Sequence, residues 1–268
     1  MTVISLMTDF GIKDGNVGVM KGVIWNICPS AQISDLSHMI GAQNVQEASF
    51  ILARSAPYFP PNSIHVVVVD PGVGTARRPM AAKIGNQYYV GPDNGTVTIL
   101  LENAEKKGLQ CEFVKLDKPE FWLAVVSYVF HGRDIFSPVA AHLASGKTLF
   151  ELGTPVFDPI RLSIARPQKN ESGWTGQIVH VDHFGNLATN ITVDDLGDAL
   201  NFKDNLRIAM SGVEIDGMVN TFGEKSPGEL VALLGSTGNL IVSVVNGNAA
   251  VRTGAVVGNS IQVFKVES

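Results

Sequence analysis

The chain has 268 residues, 45% of them hydrophobic, and its 20 lysines and arginines against 25 aspartates and glutamates give a formal net charge of −5. This length can bury a full hydrophobic core and is sufficient for two domains. The acidic balance, without a block of basic residues, argues against nucleic acid as a partner.

Three features of the sequence indicate the cellular location of the protein. Residues 1–9 carry no cationic lead before Asp9, so they predict neither a secretory signal nor a membrane anchor. The other apolar stretch, residues 230–245, is interrupted by a glycine-containing turn, which predicts two strands and no membrane association. With only two cysteines, Cys28 and Cys111, a disulfide framework is excluded and a cytoplasmic location is expected.

The first part of the chain alternates between strand-like and helix-like runs. In chain order they are a strand over 3–7, a helix ending before Pro29, a strand over 33–36, a helix after Asn44, a hairpin of 80–84 and 87–90, and helices over 96–104 and 135–144. Asn44 and Glu47 have the spacing of a helix-capping pair. The alternation predicts an α/β domain over residues 1–165, with a mostly parallel sheet flanked by helices.

The second part reads as all-β. Short apolar runs over 177–181, 206–210, 229–234, 240–245 and 261–264 are separated by glycine-rich turns. They predict a smaller barrel or sandwich domain over residues 173–268.

One stretch of the first domain indicates where chemistry occurs. Four valines, 66–69, run into Asp70 and a glycine-rich turn that ends in Arg77 and Arg78. Such a run predicts a central strand buried on both faces. Ligands of open α/β sheets bind beyond the carboxyl ends of strands. We therefore expect Asp70 and one of the two arginines to lie at that edge of the sheet. We expect His131 there too, because it lies at the start of the next predicted helix.

Asp9 follows the first strand and lies on the same edge. It can accept hydrogen bonds from both hydroxyls of a ribose, which points to a nucleoside, or it can cap the helix that begins near Asp14.

Other functions fit the residues less well. Asp9-Phe10-Gly11 precedes His131, the reverse of the order in protein kinases, and the turn after Asp70 lacks the G-x-G-x-x-G spacing of dinucleotide sites. A magnesium phosphohydrolase using Asp93, Asn94 and Asp134 is a minor alternative. His180, Asp182 and His183 would not converge on a metal, because alternation along a strand sends His183 to the opposite face.

Four motifs, taken together, resemble one family. They are Thr8-Asp9-Phe10-Gly11, the run from Val69 to Gly74 with Arg77 and Arg78, Phe130-His131-Gly132-Arg133-Asp134, and Asp182-His183-Phe184-Gly185-Asn186. The chain resembles the S-adenosyl-L-methionine (SAM) hydroxide adenosyltransferases, which are related to the fluorinase and chlorinase enzymes. The resemblance implies a homotrimer, with the substrate between one subunit's first domain and its neighbour's second.

The resemblance also implies roles for individual residues. It places Asp70, Arg77 and His131 at the catalytic site, with Arg78 as the alternative arginine, and implies that Asp9 holds the ribose diol. The substrate residues it implies in the second domain are Asp182 for the methionine ammonium, Asn186 and Phe222 for adenine, Ser236 for the methionine carboxylate, and Asn246, Asn248 and Ala249 along the base. Phe222 can equally be a core residue.

Compared with the halogenases, Gly132, Asp70 and Gln43 stand where the fluorinase has serine, tyrosine and tryptophan, and these changes favour water over halide. The expected reaction is attack of water or hydroxide on the ribose C5′ of SAM, giving adenosine and L-methionine, without a metal or cofactor. We expect His131 to act as base or relay, Asp70 to orient it and Arg77 to hold a partly anionic oxygen. The alternatives are a non-catalytic protein that binds adenosine or SAM and a SAM halogenase.

Overall fold

The structure is a computed structural model that describes residues 2–266. The chain forms two compact units, and the division falls between Leu162 and Ser163. Within the described residues, no helix is both long and apolar enough to cross a membrane.

The first unit is a seven-stranded sheet with helices. Its elements in chain order are β1 (Val3–Thr8), α1 (Asn16–Ile27), β2 (Gln32–Ser37), α2 (Val45–Ser55), β3 (Ile64–Val68), β4 (Pro79–Ile84), β5 (Gln87–Pro92), α3 (Thr98–Lys106), β6 (Cys111–Lys115), α4 (Ser137–Ala144) and β7 (Thr154–Val156). The strand order is β2-β1-β3-β5-β4-β6-β7. β1 pairs in parallel with β2 and β3, and β3 with β5, whereas the pairs at the β4, β6 and β7 end are antiparallel.

This topology predicts a binding crevice at one edge of the sheet. From β1 the chain moves outward to β2 and then returns to β3 on the other side, so the direction of winding reverses between β1 and β3. Ligands of open α/β sheets bind at such a reversal, beyond the carboxyl ends of the strands. Asp9 and Asp70 follow these two strands.

The predicted elements of the first unit are largely confirmed. Every residue of β3 is buried, as the valine run predicts, and β4 and β5 form the expected hairpin. The Asn44 side chain accepts a hydrogen bond from the Glu47 amide and caps α2. The helix expected from residue 135 begins instead at Ser137, after a π-helical turn over Gly132–Phe136.

The second unit is an antiparallel sheet that nearly closes into a barrel. Its elements are β8 (Gln168–Lys169), β9 (Gly173–Val181), β10 (Leu187–Thr192), α5 (Val193–Leu196), β11 (Leu206–Met210), β12 (Val213–Asp216), β13 (Leu230–Leu234), β14 (Asn239–Val244), α6 (Ala249–Thr253) and β15 (Ser260–Lys265). The strand order is β12-β11-β15-β9-β10-β14-β13, with β8 paired to β9. Beyond β12, the Val219 amide donates to the Ala232 carbonyl of β13, which draws the two edges together. The prediction of an all-β domain is confirmed.

Candidate active site at the carboxyl edge of the first sheet

Asp70, Arg77 and His131 meet at the carboxyl end of β3, and we call them the Asp70–Arg77–His131 cluster. Arg77 Nε donates to Asp70 Oδ1 at 3.0 Å, and Arg77 Nη2 forms a short contact with Asp70 Oδ2. Nη2 also lies 3.1 Å from His131 Nδ1. The Asp70 and Arg77 side chains are only 5% and 7% exposed, so their charges compensate each other away from bulk water.

The Arg77 contact fixes the tautomer of His131. A guanidinium nitrogen can only donate, so Nδ1 of His131 accepts, and the proton of the neutral ring is on Nε2. Burial lowers the pKa of His131 below its ordinary value, and the nearby Arg77 cation lowers it further. The Asp70 and Asp134 carboxylates and a hydrogen bond with the Ser127 backbone act in the opposite direction. The lowered pKa and the donor at Nδ1 both favour the neutral imidazole.

One nitrogen of the cluster has no partner within the described residues. Arg77 Nη1 is buried and makes no hydrogen bond there, although the guanidinium is fixed through its other nitrogens and lies over the Phe136 ring, 5.4 Å from the centroid. A buried donor without an acceptor costs free energy, on the order of 1–3 kcal/mol. This N–H is therefore a candidate contact for a ligand oxygen.

The geometry corrects one expectation. Asp70 does not orient His131 directly, because Arg77 lies between them and binds both. Nη2 of Arg77 contacts both the Asp70 carboxylate and the His131 ring, so the guanidinium links the two side chains.

The structure also distinguishes the two neighbouring arginines. Arg78 points to other partners, with Nε donating to Asp93 at 2.8 Å and Nη1 to Asp158 at 2.7 Å. Its Nη2 also donates to the Asp158 carbonyl at 2.6 Å. Arg77 is therefore the arginine that reaches His131.

Asp9 lies at the carboxyl end of β1 and does not cap α1. Its Oδ2 accepts a hydrogen bond from the Gln43 amide at 2.7 Å, which holds the β2–α2 loop, and α1 begins at Asn16 after Gly15 without a side-chain cap. The alternative interpretation of Asp9 as a helix cap is therefore wrong.

In the second unit, several predicted substrate residues come together at one end of β10 and β14. Asp182 follows β9 and accepts hydrogen bonds from the Phe184 and Asn186 amides and from Asn186 Nδ2, all at 2.8–2.9 Å. The Gly185 carbonyl accepts from the Ala250 amide. Because a Cβ on Gly185 would collide with the Asn248 side chain, the Asp182 turn packs tightly against the start of α6.

The other predicted residues in this unit differ in setting. Asn246 lies in the turn after β14 with a φ of +52°, and Ala249 is fully buried. Asn248 Oδ1 caps α6 by accepting from the Val251 amide. Phe222 lies in the loop between β12 and β13 and is 41% exposed, so it is not a core residue.

Ser236 is not brought to the Asp182 turn within the unit. It is exposed and lies in the turn between β13 and β14. Since Leu187 pairs with Val242 and Thr192 with Asn239, that turn is at the opposite end of β10 from residue 182.

The residues of the metal alternatives are engaged elsewhere. Asp93 binds Arg78, Asn94 Nδ2 donates to the Val69 carbonyl, and Asp134 binds Arg133. β9 ends at Val181, so the prediction that Asp182 and His183 alternate along a strand is wrong. Among residues 2–266, no group of three or more His, Cys, Asp or Glu side chains is arranged to hold a metal ion.

Sequence reasoning missed a chain of polar side chains beside Asp9, in which Thr8 and His38 are buried and Asp35 is exposed. Thr8 Oγ1 lies 3.0 Å from His38 Nδ1, and His38 Nε2 lies 2.9 Å from Asp35 Oδ1. The Gly11 amide donates to the His38 carbonyl, which fixes the loop after β1. The available signal was the pair Asp35 and His38 at the end of a strand-like run.

Comparison with known proteins identifies the family. Residues 4–153 match the SAM hydroxide adenosyltransferase N-terminal domain, and residues 176–262 match the C-terminal domain of the same family. A protein of Salinispora tropica named (R)-S-adenosyl-L-methionine hydrolase is 37% identical over 97% of both chains. One of Thermus thermophilus with the same name is 36% identical over 93% of this chain and 94% of its own.

More distant and structural relatives complete the comparison. A fluorinase of an Actinoplanes species is 28% identical over 79% of each chain. The crystal structure of an uncharacterized conserved protein from Thermotoga maritima matches with a TM-score of 0.89 and 37% identity, covering 97% of this chain and 99% of that one. From the two matched domains and these relatives, the chain belongs to the SAM hydroxide adenosyltransferase family.

Proposed function

We propose that this protein is an enzyme that hydrolyses SAM at the ribose C5′, releasing adenosine and L-methionine. Hydrolase relatives at 33–37% identity over nearly the whole chain support this activity, while the fluorinases are more distant. The observation that carries the proposal is the buried, charge-compensated cluster with one unpartnered donor, Arg77 Nη1.

The reaction is a single displacement. The oxygen of water or hydroxide bonds to C5′, the C5′–S bond breaks, and its electron pair stays on sulfur, which changes from a sulfonium to the thioether of methionine. The water proton passes to solvent. Hydroxide is the stronger nucleophile, and its attack on a sulfonium cancels charge, so a site that binds an anionic oxygen lowers the barrier.

Arg77 supplies that binding. Its Nη1 N–H is buried and available to donate to the attacking oxygen, while Asp70 and His131 fix the guanidinium through Nε and Nη2. An isolated guanidinium would repel the cationic substrate. The bound Asp70 carboxylate compensates this charge, so the site offers a directed donor without a net positive charge.

His131 acts mainly by holding Arg77. Its Nδ1 lone pair accepts from Nη2 and is not available as a base until that hydrogen bond breaks. Protonation of His131 would place a second cation beside Arg77 and turn the acceptor into a donor, so the neutral form is the active one.

The substrate contacts remain part of the proposal. Asp9 uses Oδ2 for the Gln43 amide and can present its other oxygen to the ribose diol. The family resemblance supports Asp182 as the residue that binds the ammonium group of the methionine part of SAM. It supports contacts with the rest of SAM from Asn186, Phe222, Ser236, Asn246, Asn248 and the backbone of Ala249.

Assembly, location and cofactor use are proposed on the same basis. We expect a homotrimer with sites at subunit interfaces, a cytoplasmic location and no cofactor, because the displacement needs only water. Multi-angle light scattering tests the assembly, and a monomer or dimer mass would contradict it.

The test of function is incubation of the purified protein with SAM, followed by chromatographic separation of the products. We expect equal amounts of adenosine and methionine over many turnovers. Methylthioadenosine or S-adenosylhomocysteine would contradict the proposal. A 5′-haloadenosine formed in halide salts would identify a halogenase, and tight binding without turnover a binding protein.

A further inference from the structure

Asp134 is a fully buried acid that the proposed reaction does not use. Arg133 Nε donates to its Oδ1 at 2.6 Å and Arg133 Nη2 to its Oδ2 at 3.1 Å. The Ser127 amide donates to Oδ2 at 2.9 Å. Burial of a carboxylate is costly, and its partner Arg133 is one-third exposed, so this ion pair is weak support for a purely stabilising role.

The main chain of Asp134 ties the same segment, residues 123–130, which we call the cover loop. The Leu123 amide donates to the Asp134 carbonyl at 2.9 Å, and the Asp134 amide donates to the Phe130 carbonyl at 3.1 Å. With the carboxylate bound to Ser127, Asp134 holds the loop at its beginning, its middle and its end.

The cover loop in turn contacts the parts of the crevice that carry the cluster. The Tyr128 carbonyl lies against Gly74, where a Cβ would collide with it, so the loop packs on the turn that joins Asp70 to Arg77. The Phe130 ring stands edge-on to Phe10, 5.7 Å between centroids, in the segment that follows Asp9. His131 is the next residue after the loop.

We propose that Asp134 is a positioning residue for the hydrolysis, whose buried carboxylate holds the cover loop and His131 in register with Asp70 and Arg77. This inference rests on the proposed function for its kinetic consequences. The link to His131 itself does not depend on the substrate. Within the described residues, the charged groups that act on the imidazole are Arg77, Asp70 and Asp134, and the Ser127 backbone supplies a hydrogen bond.

The test is Asp134→Asn, which keeps the shape of the side chain and removes its charge. We expect kcat to fall by roughly tenfold to a hundredfold, because small displacements of reacting groups cost that much, with a smaller change in KM. We also expect the pKa of His131 to fall, because a carboxylate that raises it is gone. The His131 ring proton, assigned by its loss in His131→Gln, reports this pKa by NMR titration without any substrate.

The matched control is Asp93→Asn. Asp93 is also buried, binds an arginine (Arg78), and accepts from a backbone amide, that of Ile160, at 2.8 Å. It therefore reproduces the loss of a buried ion pair, and we expect it to lower the unfolding temperature while the NMR titration of His131 stays as in the wild type. Equal effects of both variants on the His131 titration and on kcat would overturn the proposal.

The outcomes separate the two hypotheses. If the wild-type protein does not hydrolyse SAM, the proposed function fails, while the NMR comparison still tests the link from Asp134 to His131. If Asp134→Asn leaves kcat and the His131 titration unchanged, the positioning role fails and the function stands. Should Asp134→Asn not fold, Arg133→Gln removes the partner at a position one-third exposed, and wild-type kcat in that variant would overturn the proposal.

Discussion

Arg77 and Arg78 are adjacent in the chain, and each forms an ion pair with a buried aspartate, yet their surroundings differ. Arg78 divides its donors among Asp93 and the side chain and carbonyl of Asp158, and so joins the β4–β5 region to the end of the first unit. Arg77 is more buried, donates to Asp70 and to His131 Nδ1, and keeps Nη1 without a partner in the described chain. All three nitrogens of the Arg78 guanidinium donate hydrogen bonds within the protein, which indicates a structural role. The Arg77 guanidinium is held through two nitrogens, and its third nitrogen can donate to a ligand.

The largest effect is expected from Arg77→Lys. Lysine keeps the charge but loses the two-nitrogen contact with Asp70 and the N–H aimed at the oxygen. We expect kcat/KM for SAM to fall by about a hundredfold to a thousandfold, as for removal of a transition-state donor elsewhere. Steady-state kinetics measures this, and circular dichroism checks that the fold is retained. A loss of less than tenfold would end the assignment of Arg77.

The next effect is expected from His131. His131→Ala removes the acceptor that holds Arg77 Nη2, and because displacement of a reacting group is costly, turnover should fall by roughly a hundredfold. In the wild type, because the pKa of His131 is lowered, activity should persist as pH falls to the ordinary histidine value of about 6.5 and be lost below it. A pH–rate profile measures this limb. Loss of activity already above that value would contradict a neutral His131 with a lowered pKa.

His65, at the other end of β3, provides a second histidine whose pH dependence can be measured, here through stability. His65 is buried, between Ser5 and Gln87, and burial lowers its pKa to about 4. Between about pH 6.5 and 4 the unfolded chain binds a proton that the folded chain does not, so stability falls as pH falls through this window, by about 3 kcal/mol in total. Urea unfolding at several pH values, compared with His65→Gln, isolates this contribution. Parallel stability curves for the two proteins would contradict it.

The smallest effect is expected from Arg78→Lys. A lysine cannot reach Asp93, Asp158 and the Asp158 carbonyl together, so we expect a loss of about 1–2 kcal/mol in the free energy of unfolding. The kcat should stay at the wild-type level, because Arg78 does not contact the cluster. Denaturant unfolding and kinetics on the same preparation check both. A kcat loss equal to that of Arg77→Lys would remove the distinction between the two residues.

The sequence predicted the frame of the site better than its contacts. The valine run before Asp70 predicted both a central buried strand and the edge of the sheet at which the strand ends, because a continuous β-branched run is typical of a strand buried on both faces. It could not separate Arg77 from Arg78, since side-chain directions in an irregular turn depend on what packs against it. For the same reason the position of Arg77 between Asp70 and His131 was missed.

Two structural details could not be predicted from local sequence. β6 carries Glu112 and Lys115 in a five-residue strand with a single fully buried position, so it shows no clear alternation of apolar and polar residues. The π-helical turn at Gly132–Phe136 has no sequence signature, and its Asp134 side chain accepts a hydrogen bond from Ser127 of the cover loop. Both are set by tertiary contacts.

The most direct test of the proposed displacement is to trace the oxygen atom of water into the products. When SAM is hydrolysed in water enriched in heavy oxygen, attack at C5′ places one heavy atom in the 5′-hydroxyl of adenosine and none in methionine, which mass spectrometry of the separated products detects. Adenosine without the label, or label found in methionine, would contradict a displacement by the oxygen that Arg77 holds.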